Sequence, residues 1–240
     1  MKKNSLKSTL TLGATIVMLT ACGGGADTPV ASSELPDIVQ DAIDVPTLSL
    51  SQELTNTLSF MGNEERLAYD VYNRLYVEWG TKQFTNIATK SEYKHITAVQ
   101  GLVQKYKLND SVNFTNVDLP SLGYMMTPIE SMHSGTYDVS EIQKLYDDLT
   151  AQGVVSEIEA LKVGCIIEVV DVEDLNREIA LAQRENAGDI VTVFNFLRDG
   201  SYNHYWSFDK GLKNKGISAG CCTWAEWCRP EYPQNEKGGR

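Results

Sequence analysis

Apolar residues recur at three- and four-residue steps along four long stretches of the chain. Over 51–79, Leu58, Met61, Glu65, Ala68, Tyr72 and Leu75 fall on one helical face, and Gly80 supplies a stop. Over 84–108 the face is Phe84, Ile87, Ala88, Ser91, Glu92, His95, Val99, Leu102 and Tyr106. The link between these two stretches is short, which predicts antiparallel packing. Over 156–182 the stripe is Leu161, Gly164, Ile167, Glu168, Asp171 and Leu175; over 187–213 it is Ile190, Val193, Phe194, Leu197, Ser201, His204 and Phe208. A shorter amphipathic stretch, 140–151, carries Ile142, Leu145, Tyr146 and Leu149, and Gly153 breaks it. No run alternates long enough to predict a sheet. The expectation is an all-α four-helix bundle over 51–213, with a long crossover between the second and third long helices and one short extra helix. A tail over 214–240 carries cysteines and tryptophans.

The first 50 residues have a different pattern. Lys2, Lys3 and Lys7 precede an apolar run over 10–21 that is too short to span a bilayer. It ends in Leu19-Thr20-Ala21-Cys22 and three glycines, which resembles the lipobox of bacterial lipoproteins. That resemblance implies a signal peptide over 1–21, a lipid on Cys22 and anchoring to a membrane by that lipid. Gly23 in place of Asp implies a cell-envelope address at the outer membrane, facing the periplasm. Residues 22–50, with Pro29, Pro36, Pro46 and a glycine run, read as a flexible tether with a reach of roughly 30 Å.

Composition narrows the partners. The 240-residue chain carries 21 Lys+Arg against 32 Asp+Glu, a net charge of −11. Phosphate contacts need Lys and Arg, so nucleic acid is excluded as a partner. In an oxidising compartment Cys165, Cys221, Cys222 and Cys228 are expected to form one or two disulfides. Cys228 would bond Cys221 or Cys222, because adjacent cysteines seldom bond each other. Trp224 and Trp227 predict that the tail packs back on the bundle. Met125, Met126, Met132 and His133 read as filler under a long connection rather than as a copper(I) site.

The chemistry lies in what interrupts the apolar stripes. Glu65, Glu92, His95, Glu168 and His204 all fall on faces that otherwise read as core. Burying several ionisable groups together is costly unless they pair or bind a cation. Glu92 and His95 form Glu-x-x-His, which puts carboxylate and imidazole one turn apart. Such a pair with a Glu from a neighbouring helix is half of a dinuclear carboxylate site. Glu168 and His204 would supply the other half. These donors suit iron, manganese or zinc.

The same residues resemble the ferritin and rubrerythrin superfamily. The first helix pair is marked by Glu65-x-x-Ala68-x-x-x-Tyr72 and by Phe84-x-Asn86-Ile87-Ala88 leading to Glu92-x-x-His95. Gly164-x-x-x-Glu168 and Val193-Phe194 leading to His204 mark the second. Within the superfamily the chain is similar to an uncharacterised bacterial group, through 64–72, 168–175 and Gly200-Ser201-x-Asn203-His204. The resemblance covers roughly 54–210 and implies a ferritin-like bundle with a di-metal site, two iron ions first among the choices. In that pattern the fourth helix carries Glu-x-x-His, but here Ser201 stands three residues before His204. Asp171, one turn after Glu168, is the candidate sixth ligand. Glu64, on a stripe with Phe60, Leu67 and Val71, is the rival of Glu65. Tyr72, two turns from Glu65, is expected beside the ligands.

These readings imply metal handling or redox chemistry, with ferrous oxidation coupled to peroxide or oxygen reduction as the concrete version. The protein would be a peroxidase- or ferroxidase-type oxidoreductase supplied by an external electron donor, and possible as a homodimer. The alternative is a non-enzymatic envelope lipoprotein that uses the bundle as a binding or structural module.

Overall fold

The computed structural model describes residues 34–108, 134–137 and 140–234, and every regular element among them is helical. In chain order these are α1 (Asp37–Asp44), α2 (Gln52–Trp79), α3 (Lys82–Ile87), a π-helical turn (Ala88–Glu92), α4 (Tyr93–Lys105), α5 (Ser140–Gly153), α6 (Glu157–Arg184) and α7 (Gly188–Asn214). Two 3₁₀ turns, Gly220–Thr223 and Ala225–Trp227, follow. Cys22, the leader over 1–21 and the methionine-rich segment with Met125, Met126, Met132 and His133 lie outside the described residues.

Capping sets the long helices. Ser51 accepts a hydrogen bond from the Leu54 amide at 3.0 Å, and Ser156 accepts from the Glu159 amide at 3.1 Å. Each satisfies one of the free donors of a helix start. Gly80 ends α2 in the left-handed region at φ 65°, which glycine adopts without steric cost.

The contacts fix the topology. Tyr72 packs on Phe84 and Tyr69 on Tyr93, so α2 runs antiparallel to the α3–α4 arm. Thr57 bonds Glu178 and Tyr72 bonds Glu168, so α2 is also antiparallel to α6. Arg198 bonds Asn176 and Ser201 bonds Asp171, so α6 and α7 are antiparallel. The α4 and α6 helices therefore point the same way. Lys105 ends α4 beside Asp189, while Glu157 starts α6 beside Thr81 and Lys215, at the opposite end. The end of α4 and the start of α6 therefore lie at opposite ends of the bundle, and α5, between them in the chain, packs on α2 and α6.

The core is split in two. Leu54, Leu58, Met61, Val99, Leu102, Ile190 and Phe194 belong to one apolar cluster, and Val71, Tyr72, Leu75, Phe84, Leu161 and Phe208 to another. Each buried aliphatic or aromatic side chain contributes roughly 1.5–3 kcal/mol to folding. Between the clusters lies a polar layer in which Glu64, Glu65, Glu92, His95, Glu168, Asp171, Ser201 and His204 are all buried.

Two differences from the sequence reading concern the ends. Part of the expected tether is ordered: α1 buries Val39, and the Ala42 carbonyl accepts from Lys105 Nζ at 3.1 Å. Its eight residues carry too short a period to stand out from flanking prolines. At the other end Cys165 is bonded to Cys221 and Cys222 to Cys228. The second bond is one of the two expected pairings of Cys228. The first joins α6 to the tail across 56 residues, a separation that sequence spacing cannot anticipate. Trp206 Nε1 donates to the Tyr232 carbonyl, and Tyr205 OH donates to the Trp227 carbonyl, so the tail does pack on the bundle.

Candidate metal centre

Four helical arms each bring side chains into the polar layer. Glu64 and Glu65 come from α2, Glu168 and Asp171 from α6, and Ser201 and His204 from α7. Glu92 closes the π-helical turn, and His95 lies in the first turn of α4. There the Tyr93 N–H reaches back five residues, to the Ala88 carbonyl. A π turn inserts one residue into a helix and so re-aims the side chains around it, which is why such turns gather at functional sites. The residue pattern predicts one unbroken helix here, because a π turn leaves the apolar spacing on either side intact.

Two carboxylate–imidazole groups result. His95 Nδ1 lies 2.9 Å from Glu65 Oε2 and 3.0 Å from Glu92 Oε2. His204 Nδ1 lies 3.0 Å from Glu92 Oε1 and 3.4 Å from Glu168 Oε2. Glu92 thus offers one oxygen to each group, and the two imidazoles stack with centroids 5.6 Å apart. Tyr72 OH donates to Glu168 Oε1. On the far side of His95, Nε2 is 3.4 Å from Ser91 Oγ. A Cβ at position 200 would lie only 2.4 Å from that Nε2, so the ring occupies space that only glycine leaves open.

The donor set fits a pair of cations. Glu65 Oε1, Glu92 Oε1 and His204 Nδ1 are buried and have no hydrogen-bond partner, although the last two are 3.0 Å apart. Buried polar atoms left without a partner are costly, and a bound cation would satisfy them. Glu65, Glu92 and His95 form one group of potential ligand atoms within 4.8 Å of one another, and Glu92, Glu168 and His204 form the other.

Residues 55–122 and 122–223 match the family model described as "Uncharacterized protein domain (DUF2202)". The chain belongs to this family. It is 35% identical over 172 residues to the uncharacterized protein MJ0754 of Methanocaldococcus jannaschii, a match covering 72% of this chain and 82% of the relative. The solved structure of that hypothetical protein superposes with a TM-score of 0.61, covering 72% of this chain and 87% of the archaeal one. All the residues of the polar layer lie within the DUF2202 match.

Electrostatics in this DUF2202 centre follow from burial against charge. Burial lifts Glu65 to about 7 despite His95, and lifts Glu168 to about 7 despite His204. Burial also opposes the charge of Glu92, but the His204 and His95 imidazoles outweigh it and hold that carboxylate well below its usual range. Against burial, Glu92 and Glu168 raise His204 to about 10, and Glu65 and Glu92 raise His95 well above its usual value. In the absence of a cation, the facing carboxylates thus favour the protonated form of both imidazoles.

Asp171 stands apart from both groups. One of its oxygens accepts from Ser201 Oγ; the other, Oδ1, is buried without a partner. Glu64, weighed on sequence as a rival of Glu65, is buried alongside it rather than in its place. Its apolar stripe with Phe60, Leu67 and Val71 was the signal. Ser91, on the expected inward face, and Gly200, in the element that carries His204, were given no role in the expected site, because a small residue against a ring edge has no sequence signature.

Proposed function

We propose that this is a ferritin-like di-metal carboxylate protein that handles metal or couples metal oxidation to peroxide or oxygen reduction. Glu65, Glu92, His95, Glu168 and His204 would hold the ions, with Glu92 shared between them. The observation that carries the reading is that sharing: one buried carboxylate faces two separate imidazole–carboxylate pairs between two apolar cores. Iron is the first choice, with manganese or zinc as alternatives. Bound iron would supply the Lewis acidity and one-electron chemistry that side chains lack. The chain's own residues do the rest. Tyr72 orients Glu168 by donating to Oε1 and so leaves Oε2 toward His204. The apolar clusters on either side keep water from the layer, which strengthens every charge interaction in it. Cys165, Cys221, Cys222 and Cys228 are spent in disulfides, so electrons would come from an external donor.

The lipobox-like segment supports an envelope lipoprotein anchored through Cys22. No helix among the described residues is long and apolar enough to cross a membrane.

Elemental analysis after expression in medium replete with iron, manganese and zinc tests the function. About two ions per chain are expected. No bound metal in the wild-type protein would overturn the reading.

A further inference from the structure

The two disulfides meet at a single peptide link. Cys165 of α6 is bonded to Cys221, Cys222 is bonded to Cys228, and Cys221 and Cys222 are neighbours in the Gly220–Thr223 turn. The two bonds differ in access. Cys165 and Cys221 are wholly buried, whereas Cys222 and Cys228 are half-buried. Thiol–disulfide exchange needs access to the sulfur attacked, so a thiol from solvent reaches the second bond in preference to the first.

The second bond is also a route to the first. The Cα atoms of Cys222 and Cys228 are 4.1 Å apart. Adjacent Cα atoms are about 3.8 Å apart, so Cys228 Cα lies within about 8 Å of Cys221 Cα. Disulfides ordinarily span Cα separations up to about 7 Å, so a small movement of Cys228 brings it into bonding range of Cys221. Cys222 lacks this option, because a bond between adjacent cysteines is strained.

The buried bond is the covalent tie between α6 and the tail, and Cys165 lies one turn before Glu168. The tail is held to α7 without it. The Cys221 amide donates to Asp209 Oδ1 at 3.1 Å, Tyr205 OH donates to the Trp227 carbonyl, and the Arg229 amide donates to Tyr205 OH. The other polar ties of the tail to α6 are partly solvated and weaker: Arg229 on the exposed Glu173, and Lys162 over the Trp224 ring. Losing the Cys165–Cys221 bond thus unties α6 and leaves the tail on α7.

We propose that the tail is a dithiol-operated clasp on α6, with Cys222–Cys228 as its exchange site and an external dithiol as the reductant. One thiolate of that dithiol attacks Cys222 Sγ, forms a mixed disulfide and releases Cys228 as a thiolate. Cys228 then attacks Cys221 Sγ; the Cys221–Cys228 bond forms, the Cys165–Cys221 bond breaks, and Cys165 leaves as a thiolate that takes up a proton. The second thiol of the dithiol attacks its own partner sulfur in the mixed disulfide and frees Cys222. The dithiol is oxidised to its disulfide, and the protein gains two electrons and two protons as the thiols of Cys165 and Cys222. The exchange needs no metal and is independent of the di-metal reading.

Two substitutions test the relay. Cys222→Ser and Cys228→Ser both lack the half-buried disulfide, so a mere loosening of the tail acts alike on both, but only Cys222→Ser keeps the relaying thiol. Metal-free full-length protein is treated with excess dithiothreitol under native conditions, quenched with acid at intervals, and its disulfides are mapped by mass spectrometry. Early wild-type samples are expected to contain a Cys221–Cys228 bond together with free Cys165. The Cys165–Cys221 bond is expected to be lost at least as fast in Cys222→Ser as in wild type, and at least about tenfold more slowly in Cys228→Ser. Its presence in Cys228→Ser before reduction also reports that the tail has docked there. Hydrogen exchange around Cys165 should quicken with the loss of the bond. Equal rates of loss in the two variants, or no Cys221–Cys228 bond at any time in wild type, would overturn the proposal.

Discussion

The two halves of the centre use the same donor types and share Glu92, but their surroundings differ. In the first, His95 is hydrogen-bonded to Glu65 at 2.9 Å, and its ring is wedged between Ser91 and the bare backbone of Gly200. In the second, His204 Nδ1 has no hydrogen-bond partner, and Glu168 is held by Tyr72 instead. The third position relative to His204 is Ser201, turned toward Asp171. The first half is oriented by its own ligands and by tight packing, the second by an outside hydroxyl. Two ions in one pocket should therefore differ in affinity, with the first half the tighter.

The largest effect should come from removing what the halves share. Glu92→Ala takes one oxygen from each group and leaves two imidazoles without their common counter-charge. Both ions are expected to be lost, with affinity falling at least about 100-fold at each position. Metal analysis after gel filtration checks this. Retention of one ion would show that Glu92 serves only one half.

Next comes pH. The Nδ1 atoms of both histidines face carboxylates, which favour the protonated form of both imidazoles when no cation is present. A cation must displace those two protons, so affinity for the pair should rise by roughly 100-fold per pH unit above 7. The metal-free fold has the opposite slope. His204 is raised from 6.5 to about 10, so its contribution to stability is complete below 6.5 and is lost as pH rises through 10. Glu65 and Glu168 are raised from 4.5 to about 7, and their contribution is lost as pH rises through 7. Glu92 acts with the other sign, but only below its ordinary value of 4.5. Between pH 7 and 9 the melting temperature of metal-free protein should fall while that of loaded protein stays nearly level, because neither its imidazoles nor those of the unfolded chain then carry protons. Parallel slopes would contradict displacement of stored protons.

How much of this was legible in residue order depends on what each feature required. The long helices were legible because each buries a continuous stripe, and the five ligand candidates because they interrupt those stripes. Glu92 and His95 came through despite the π turn, since three residues separate them on either geometry. The burial of Arg66 and Asp70 was not legible. Nothing in an Arg and an Asp at i and i+4 signals burial, yet Asp70 is wholly buried and also accepts from Tyr137 OH and the Gly135 amide. The contacts that bury them come from residues more than 60 positions away. The same holds for Glu64 and Asp171. Each lies near enough to an apolar stripe to suggest burial, but their place in one layer depends on the register of two helices more than 100 residues apart in the chain.

A third test addresses the first half alone. At Gly200 a methyl group would meet His95 Nε2 at 2.4 Å, closer than real Cβ contacts come. Gly200→Ala should push the ring off its position against Glu65 and Glu92. Overpacking of this kind costs about 1–3 kcal/mol of stability. The tighter ion should lose about 10- to 100-fold in affinity, with the weaker ion less affected. Isothermal titration resolves the two events. Loss confined to the weaker ion would reverse the assignment of tight and weak halves.

The smallest expected effect sharpens the comparison most. Tyr72 is fully buried, packed on Phe84 and Phe208, with its hydroxyl on Glu168 Oε1. Tyr72→Phe keeps the ring and its packing and removes only that donor. Glu168 Oε1 then loses the bond that fixes it, and the carboxylate can rotate between facing His204 and facing away. The second ion should bind about tenfold more weakly, as is usual when a partner of a ligand is removed. The first ion should be unchanged, because neither Glu65 nor His95 bonds Tyr72 among the described contacts. The burial that lifts Glu168 to about 7 would act without a stabilising hydroxyl, so the loss should be larger at pH 6 than at pH 8, where the carboxylate is ionised. Equal weakening of both ions would mean that the halves are coupled through Glu92 strongly enough to behave as one site.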